Sequence, residues 1–468
     1  MGIHSRNWTT LTSIGKCILN HYETRWRLII SVFSKKGFSS LHPLVTLNYP
    51  IMKIDTPEFK ALFTPGLTTL ASLFKDYGYE LRIAGGAVRD LLMKIQPKDL
   101  DFATTATPDQ MKEMFSAEGI RMINTKGEKH GTVTPRINDK ENFEVTTLRI
   151  DVRTDGRHAD VEFTTDWKLD ANRRDLTINS MFLSLDGTLS DYFGGYQDLL
   201  KRRVVFVGDA DTRIQEDYLR ILRYFRFYGR IAEQADRHEE GIFEAIERNA
   251  GGLLRVSGER IWSELRKILE GKFAGDLMKS MLSLGIGPHI GLPVDPDVAE
   301  FDRVWCRQCA RCLHPVALLA ALLRNQDEVM KFHSRVKLSS YERDLGLFVV
   351  EHRGDKPSVK PLRPYQLLVV NSKGKTHDTK EWVCEVLKYR GDQTLLKEFE
   401  QWSVPRFPLN GYMLKEKGAP GGKGLGQVVD ILKKHWVESD FNMSSEDLLQ
   451  LLPHVLCEMG VKPNRQTD

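Results

Sequence analysis

Leu81-Arg-Ile-Ala84 leads into Gly85-Gly86-Ala-Val-Arg89-Asp90, and nine residues further on stands Asp99-Leu100-Asp101 at the head of another apolar run. The first four residues read as a strand and Ala87–Met93 as a helix, so the two glycines sit at a strand-to-helix turn. Glycine lets the backbone come close to a ligand there, and the free N–H groups of a helix start suit phosphate. Arg89 lies one turn into the helix, where its guanidinium can grip a phosphate through two hydrogen bonds. Strand alternation puts Asp99 and Asp101 on one face, about 7 Å apart along the chain. Two carboxylates so placed are costly without a cation between them. Hard oxygen ligands suit Mg²⁺, and such a pair can hold two ions. Gly-Gly alone or Asp-x-Asp alone is commonplace. The order strand, Gly-Gly, helix, strand, Asp-x-Asp is far more specific and points to catalysis rather than to a surface turn. Gly-x-Gly-x-x-Gly is absent, and Gly418-Ala-Pro-Gly-Gly-Lys423 is one residue short of a P-loop, with Gly424 in place of Ser/Thr.

Around this stretch the pattern is mixed. Residues 57–75 read as a helix, and strands are expected at 80–84, 100–103, 121–124, 132–137, 143–148 and 160–163, with a further helix at 108–115. Beyond residue 190 the periodicity is almost wholly helical, with breaks near 285–296, 353–364 and 418–426. The expected class is α+β: a sheet-containing head over 52–190, then all-α segments at 191–275, 276–350 and 351–458, with 459–468 disordered.

Two more charged clusters stand out. In Asp170-Ala-Asn-Arg173-Arg174-Asp175-Leu-Thr-Ile-Asn179, the simplest reading makes Asp175 the cap of a helix over 176–183. The functional reading has Arg173 or Arg174 holding a triphosphate, with Asp175 and Asn179 near a ribose. Glu216-Asp217-Tyr-Leu-Arg220-Ile-Leu-Arg223-Tyr-Phe-Arg226 reads as one helix. There Asp217 and Arg220 form an i,i+3 pair, and an ordinary salt-bridged amphipathic helix explains them. Arginines repeating every three residues also make a good polyphosphate clamp.

The Gly-Gly and Asp-x-Asp elements resemble the polymerase-β nucleotidyltransferase superfamily. The Arg173-Arg174-Asp175 run and Glu216-Asp217-x-x-Arg220 resemble, more specifically, the class II tRNA nucleotidyltransferases, the CCA-adding enzymes. Glu144-Val-Thr-Thr-Leu-Arg149, Asp155-Gly-Arg157-His158 and Val161-Glu-Phe163 fit that family too. Glu128–Val133 resembles its flexible loop, Asp191–Leu199 its flexible head-to-neck connection, and Ser257–Leu265 a structural motif. Gly418–Gly426, before a helix ending near Trp436, resembles a tRNA-holding tail. The resemblance implies a polymerase-β-like head followed by helical neck, body and tail. It implies CCA addition to the 3′ end of tRNA from CTP and ATP, with Asp99 and Asp101 binding two Mg²⁺. Gly85, Gly86, Arg89, Arg173, Arg174, Asp175, Asn179, Arg223 and Arg226 would bind the nucleotide, and Asp217 and Arg220 would read its base. A carboxylate accepts from the amine that C carries at N4 and A at N6. Arg220 would donate to the adjacent ring nitrogen. U and G invert both hydrogen bonds, and unpaired polar groups in a closed pocket are a strong basis for rejection. Glu144 is a candidate third metal ligand or an ordinary strand residue. A poly(A) polymerase shares the first two motifs, and a catalytically dead RNA-binding relative is the rival of another class. Intact Asp99, Asp101 and Arg174 argue against the latter.

The chain has 468 residues and a net charge of +4, from 67 Lys+Arg and 63 Asp+Glu. An apolar share of 41% excludes wholesale disorder, and six cysteines exclude a disulfide scaffold. No apolar run approaches the ~18 residues of a membrane span, so no membrane partner is expected. Residues 1–51 hold six Lys/Arg and one acid, Glu23, which leaves 52–468 at −1. Basic, Ser-rich and acid-poor is the composition of a transit peptide, here mitochondrial by the resemblance, and Met52 could start a cytoplasmic or nuclear form. RNA affinity must then come from local stripes such as 201–230, with eight Lys/Arg against four acids. Cys306-x-x-Cys309-x-x-Cys312-x-His314 lacks a second ligand pair for zinc. His377-Asp378 lacks the further ligands of an HD phosphohydrolase. Oligomeric state has no signature in the sequence.

Overall fold

The computed structural model describes residues 52–123, 127, 130–154, 159–307, 312–356, 358–372 and 375–460. The expected targeting segment, the last eight residues, Asp155–His158, Cys309 and most of the expected loop before Gly131 lie outside them.

The head is built on one mixed sheet. Its strands are β1 (Leu81–Ala84), β2 (Asp101–Thr104), β3 (Arg121–Ile123), β4 (Thr132–Ile137), β5 (Glu141–Asn142), β6 (Glu144–Thr147), β9 (Phe182–Ser184) and β10 (Leu189–Ser190). The order is β10-β9-β1-β2-β6-β4-β3, with β5 beside β4. Strands β1 and β2 run antiparallel, and β2 runs parallel to β6 with Asp101 in register with Glu144. A separate ribbon pairs β7 (Arg149–Thr154) with β8 (Ala159–Phe163). Side chains such as Ile83, Phe102 and Val145 are buried in the sheet. The described chain joins this sheet at once: Lys53 bridges Thr188, and the Ile54 N–H donates to the Gly187 carbonyl at 2.8 Å.

Helix α1 (Pro65–Asp76) starts where Pro65 needs no N–H partner and Thr64 caps the Leu67 N–H at 3.1 Å. The expected helix over 57–75 is therefore two, the first being Pro57–Lys60. Helix α2 (Gly86–Leu92) follows β1, and α3 (Pro108–Ala117) opens with a capping box between Thr107 and Gln110. Helix α4 (Trp167–Asn172) is capped by Asp166. The helix expected over 176–183 is overturned. Thr177–Asn179 is a single 3₁₀ turn, and Phe182–Ser184 is strand β9, paired with β1. Pairing with a central strand outweighs local helical propensity there.

The long helix expected through 216–227 is also broken. Helix α5 (Ala210–Glu216) ends at Asp217, whose backbone is extended at φ −151°, ψ 105°, and α6 (Arg220–Ile231) begins after it. After α6 the described chain is helical to Glu458. Helix α7 (Gly258–Leu269) starts after Ser257, whose hydroxyl makes no capping bond. Its Trp262 Nε1 donates to Glu342 at 2.9 Å, tying it to α8 (Ser340–His352). The glycine-rich stretch before Lys423 leads into α9 (Lys423–Glu438). No described helix is long and apolar enough to cross a membrane.

Candidate active site

A cleft of about 770 Å³ lies where β1, β2 and α2 of the head face α6 and α7. All thirteen residues singled out from the sequence line it: Gly85, Gly86, Arg89, Asp99, Asp101, Arg173, Arg174, Asp175, Asn179, Asp217, Arg220, Arg223 and Arg226. They come from segments spread between residues 85 and 226, and the fold brings them together.

Gly85 and Gly86 stand at the expected strand-to-helix turn. Gly85 has φ 64°, ψ −122°, a conformation that suits glycine, and a Cβ there would stand 3.1 Å from Arg174 Nη1. Asp99 does not lie on the strand. It sits in a bend before β2, and Asp101 is the strand's first residue. A turn, rather than alternation, thus presents the two carboxylates. Among the described residues neither makes a hydrogen bond or ion pair. Burial pushes the Asp101 carboxyl up, and Glu144 and Asp99 push it further, with Arg174 opposing. Glu144 lines a second hollow of about 310 Å³, which shares Gly85, Asp101, Arg173 and Arg174 with the cleft.

The arginines are the dominant feature. Among the described residues eight line the cleft, and each is paired with a carboxylate. Asp170 is buried and lies between two of them, taking Arg173 at 2.8 Å and Arg174 at 3.0 Å, with the Arg149 N–H at 3.1 Å. Burial alone would raise this carboxyl, but Arg174 and Arg173 outweigh it and hold it below the ordinary range. Asp170 had been given no role. Its i,i+3 and i,i+4 spacing to the two arginines is the signal that could have revealed one.

A continuous chain of bonds runs from α6 through the head and back. Arg230 Nη2 donates to Asp90 at 2.8 Å, Asp90 accepts from Arg89 at 2.9 Å, and Arg89 Nη1 donates to Asn179 Oδ1 at 2.6 Å. Asn179 donates to Asp175 at 3.4 Å, and Asp175 accepts from Arg223 Nε at 2.6 Å. Asp175 does not cap a helix. It is buried, and burial would raise it, but Arg223 holds it below the ordinary carboxylate range. The Arg89, Arg223 and Arg226 guanidiniums lie 4.9, 5.4 and 4.8 Å from the Phe227 ring centre, so one buried ring organises three cations. Arg226 is held by Glu264 at 3.1 Å.

Asp217 and Arg220 do not pair with each other through their side chains. Arg220 donates to Glu216 and to the backbone carbonyls of Arg213 (3.0 Å) and Arg173 (2.8 Å). Asp217 accepts from the Leu219 N–H at 3.1 Å and from Arg260 Nη2 at 2.7 Å. The bend at Asp217 turns its carboxylate toward α7, so the helical i,i+3 reading fails.

The donor set fits a hard divalent cation. Among the described residues no three His, Cys, Asp or Glu side chains converge as a ready-made metal cage. Asp99 and Asp101 offer hard carboxylate oxygens that no Lys or Arg pairs with among the described residues, and Mg²⁺ is commonly held by one or two carboxylates plus phosphate oxygens and water. Glu144 acts on Asp101 through its charge. Elsewhere, His314 caps the helix Pro315–Leu319, its Nδ1 accepting from Val316 at 3.2 Å, and Cys306 ends the helix before it. His377 lies exposed beside Asp378 and Glu381.

Residues 81–205 match the Poly A polymerase head domain, and residues 238–293 match the probable RNA and SrmB-binding site of polymerase A. "CCA tRNA nucleotidyltransferase 1, mitochondrial" of Mus musculus is 54% identical over 405 residues, covering 86% of this chain and 93% of that protein. The protein of that name from Danio rerio is 53% identical over the same shares. The CCA-adding enzyme of Bacillus stearothermophilus, solved in complex with CTP, shares the fold with a TM-score of 0.66 at 23% identity, over 87% of this chain and 99% of that one. An extended match at this identity, on a head whose Gly-Gly turn and carboxylate pair face a cleft of arginines, places the chain in the CCA tRNA nucleotidyltransferase family.

Proposed function

We propose that the chain adds C, C and A to the 3′ end of tRNA, taking CTP and ATP in turn without a nucleic-acid template. The observation that carries this reading is the convergence of segments 85–101, 173–179 and 217–226 on one cleft, in a chain of this family. Two Mg²⁺ ions on Asp99 and Asp101 would supply activation of the RNA 3′-hydroxyl and neutralisation of the triphosphate. The chain's own residues do the positioning. Gly85 and Gly86 let the triphosphate approach the start of α2, and Arg89, Arg173, Arg174, Arg223 and Arg226 turn toward phosphate oxygens. Asp175 and Asn179 lie by the ribose. Asp217 accepts from the base amine and Arg220 donates to the neighbouring ring nitrogen, so C and A fit while U and G leave both groups unpaired. The hydroxyl attacks the α-phosphate and pyrophosphate departs, with catalysis resting on placement and electrostatics. The segments 191–275, 276–350 and 351–458 serve as neck, body and tail, and hold the acceptor arm by its shape and backbone.

The test offers tRNA lacking its CCA end with each nucleoside triphosphate singly and together, and sequences the products. We expect CC with CTP alone and CCA with both. Long A tails without C would instead indicate a poly(A) polymerase, and no addition with Mg²⁺ a dead relative.

Residues 1–51 address the chain to the mitochondrion, and initiation at Met52 yields a second, unaddressed form. The support is the basic composition of that segment and the docking of Lys53 and Ile54 onto the head sheet, a contact that a form beginning at Met52 still contains. N-terminal sequencing of organelle and cytosolic pools should find a start near residue 52 in the latter. Met1 in every pool would overturn this.

A further inference from the structure

We propose that Arg260 determines the base selectivity of this site, by fixing the direction in which Asp217 accepts a hydrogen bond. The inference rests on the reading that Asp217 and Arg220 recognise the base edge. It adds a positioning residue, from a helix outside the head, on which that recognition depends.

Asp217 has no helix of its own to aim it. It stands in the extended bend between α5 and α6, and a side chain there is free to turn about its own bonds. Its carboxylate is held by three donors. The Leu219 N–H reaches Oδ1 at 3.1 Å, Arg260 Nη2 reaches Oδ2 at 2.7 Å, and Arg260 Nη1 reaches Oδ1 at 3.4 Å. A carboxylate offers about four lone-pair sites. With three directions engaged, the one left for an incoming amine is narrow. Two coplanar nitrogens, one to each oxygen, are what a guanidinium gives and a single ammonium nitrogen cannot.

Arg260 is itself firmly placed. Gly258, two residues before it, packs so closely that a Cβ would stand 2.1 Å from the Arg335 carbonyl oxygen. Trp262, two residues after it, is bonded to Glu342. One turn further, Glu264 holds Arg226 at 3.1 Å. Helix α7 therefore braces the cleft twice, at the base-reading acceptor and at an arginine of the triphosphate clamp. The donor half of the reading pair, Arg220, is fixed from the other side, by the Arg173 carbonyl of the head and by Glu216 on α5.

Discrimination follows from direction. An ionised carboxylate only accepts, so it suits the amines of C and A and meets a carbonyl of U or G as an uncompensated acceptor. That penalty is enforced only while the carboxylate cannot swing aside and take water. Without Arg260 it can, and the wrong bases gain more than the right ones lose.

The experiment uses the full chain and tRNA lacking its CCA end, and compares kcat/KM for CTP and UTP. Arg260→Ala, and Arg260→Gln as a gentler variant, are expected to lower the CTP-to-UTP ratio by at least about tenfold. UTP should become a better substrate in absolute terms, and tRNA affinity should stay within about twofold. That UTP gain is a readout a merely structural role would not move. Asp217→Ala should lower the ratio too, and adding Arg260→Ala to it should lower the ratio no further. An unchanged ratio in both Arg260 variants, with a lowered ratio in Asp217→Ala, overturns the role of Arg260 and leaves the base-reading pair standing. An unchanged ratio in Asp217→Ala overturns the base-reading assignment beneath it.

Discussion

Asp101→Ala is expected to cut nucleotide addition by roughly 10³-fold while the protein stays folded, since even outer-shell changes at metal sites cost about 10- to 100-fold. The loss should appear in kcat, with tRNA affinity kept, because on the proposed reading Asp101 holds the metal at the reacting end rather than the RNA. Its stability should not fall. A carboxyl pushed up by burial and by Glu144 and Asp99 opposes folding in its charged form, so removing it relieves repulsion. Thermal unfolding and single-turnover addition, measured on one preparation, check both halves. A melting temperature lowered along with activity would mean Asp101 is structural.

Asp170→Ala is expected to have the largest effect on stability. It removes the shared partner of Arg173 and Arg174 from a site where the aspartate is 1% exposed and the arginine side chains are 18% exposed. Breaking a buried pair by deleting one partner costs about 3–5 kcal/mol, and the residual exposure of the arginines puts this case near ~3 kcal/mol. Calorimetric unfolding should show the transition lowered. Activity should fall with it, because Arg173 also supplies the carbonyl that holds Arg220. The pH dependence has a definite sign. Asp170 and Asp175 are both held below their ordinary range, so their contribution is full above the unfolded carboxylate value near ~4 and is lost as pH falls through the folded values. Acid unfolding of Asp170→Ala should be less steep than that of the parent chain. Equal acid sensitivity would contradict the assignment.

The strand expected at 132–137 matched, and the one expected at 121–124 is present as Arg121–Ile123. The short strands at 182–184 and 189–190 were not legible, since the first fell inside a run read as a helix over 176–183 and the second is only two residues long. The site itself was readable wherever its residues stand in runs, as in Arg173-Arg174-Asp175. Its partners were not. Arg260, Glu264, Asp90 and Arg230 look like ordinary helix-surface charges until the fold sets them opposite the cleft. The break at Asp217 was missed for a similar reason. Its flanks read as continuous helix, and the side chain is turned by a contact 43 residues away along the chain.

The pairing of all eight cleft arginines bears on turnover as well as on grip. If Arg89, Arg173, Arg174, Arg223 and Arg226 take the triphosphate as proposed, it would not meet bare cations, because these arginines already pair with Asp90, Asp170, Asp175 and Glu264. Once pyrophosphate is severed, those carboxylates would compete for the same guanidiniums from inside the wall, so departure would not require water to hydrate a row of exposed positive charge. Such a cleft would carry its own returning counterions, and a reaction repeated three times on one tRNA end would gain from a seat that empties itself.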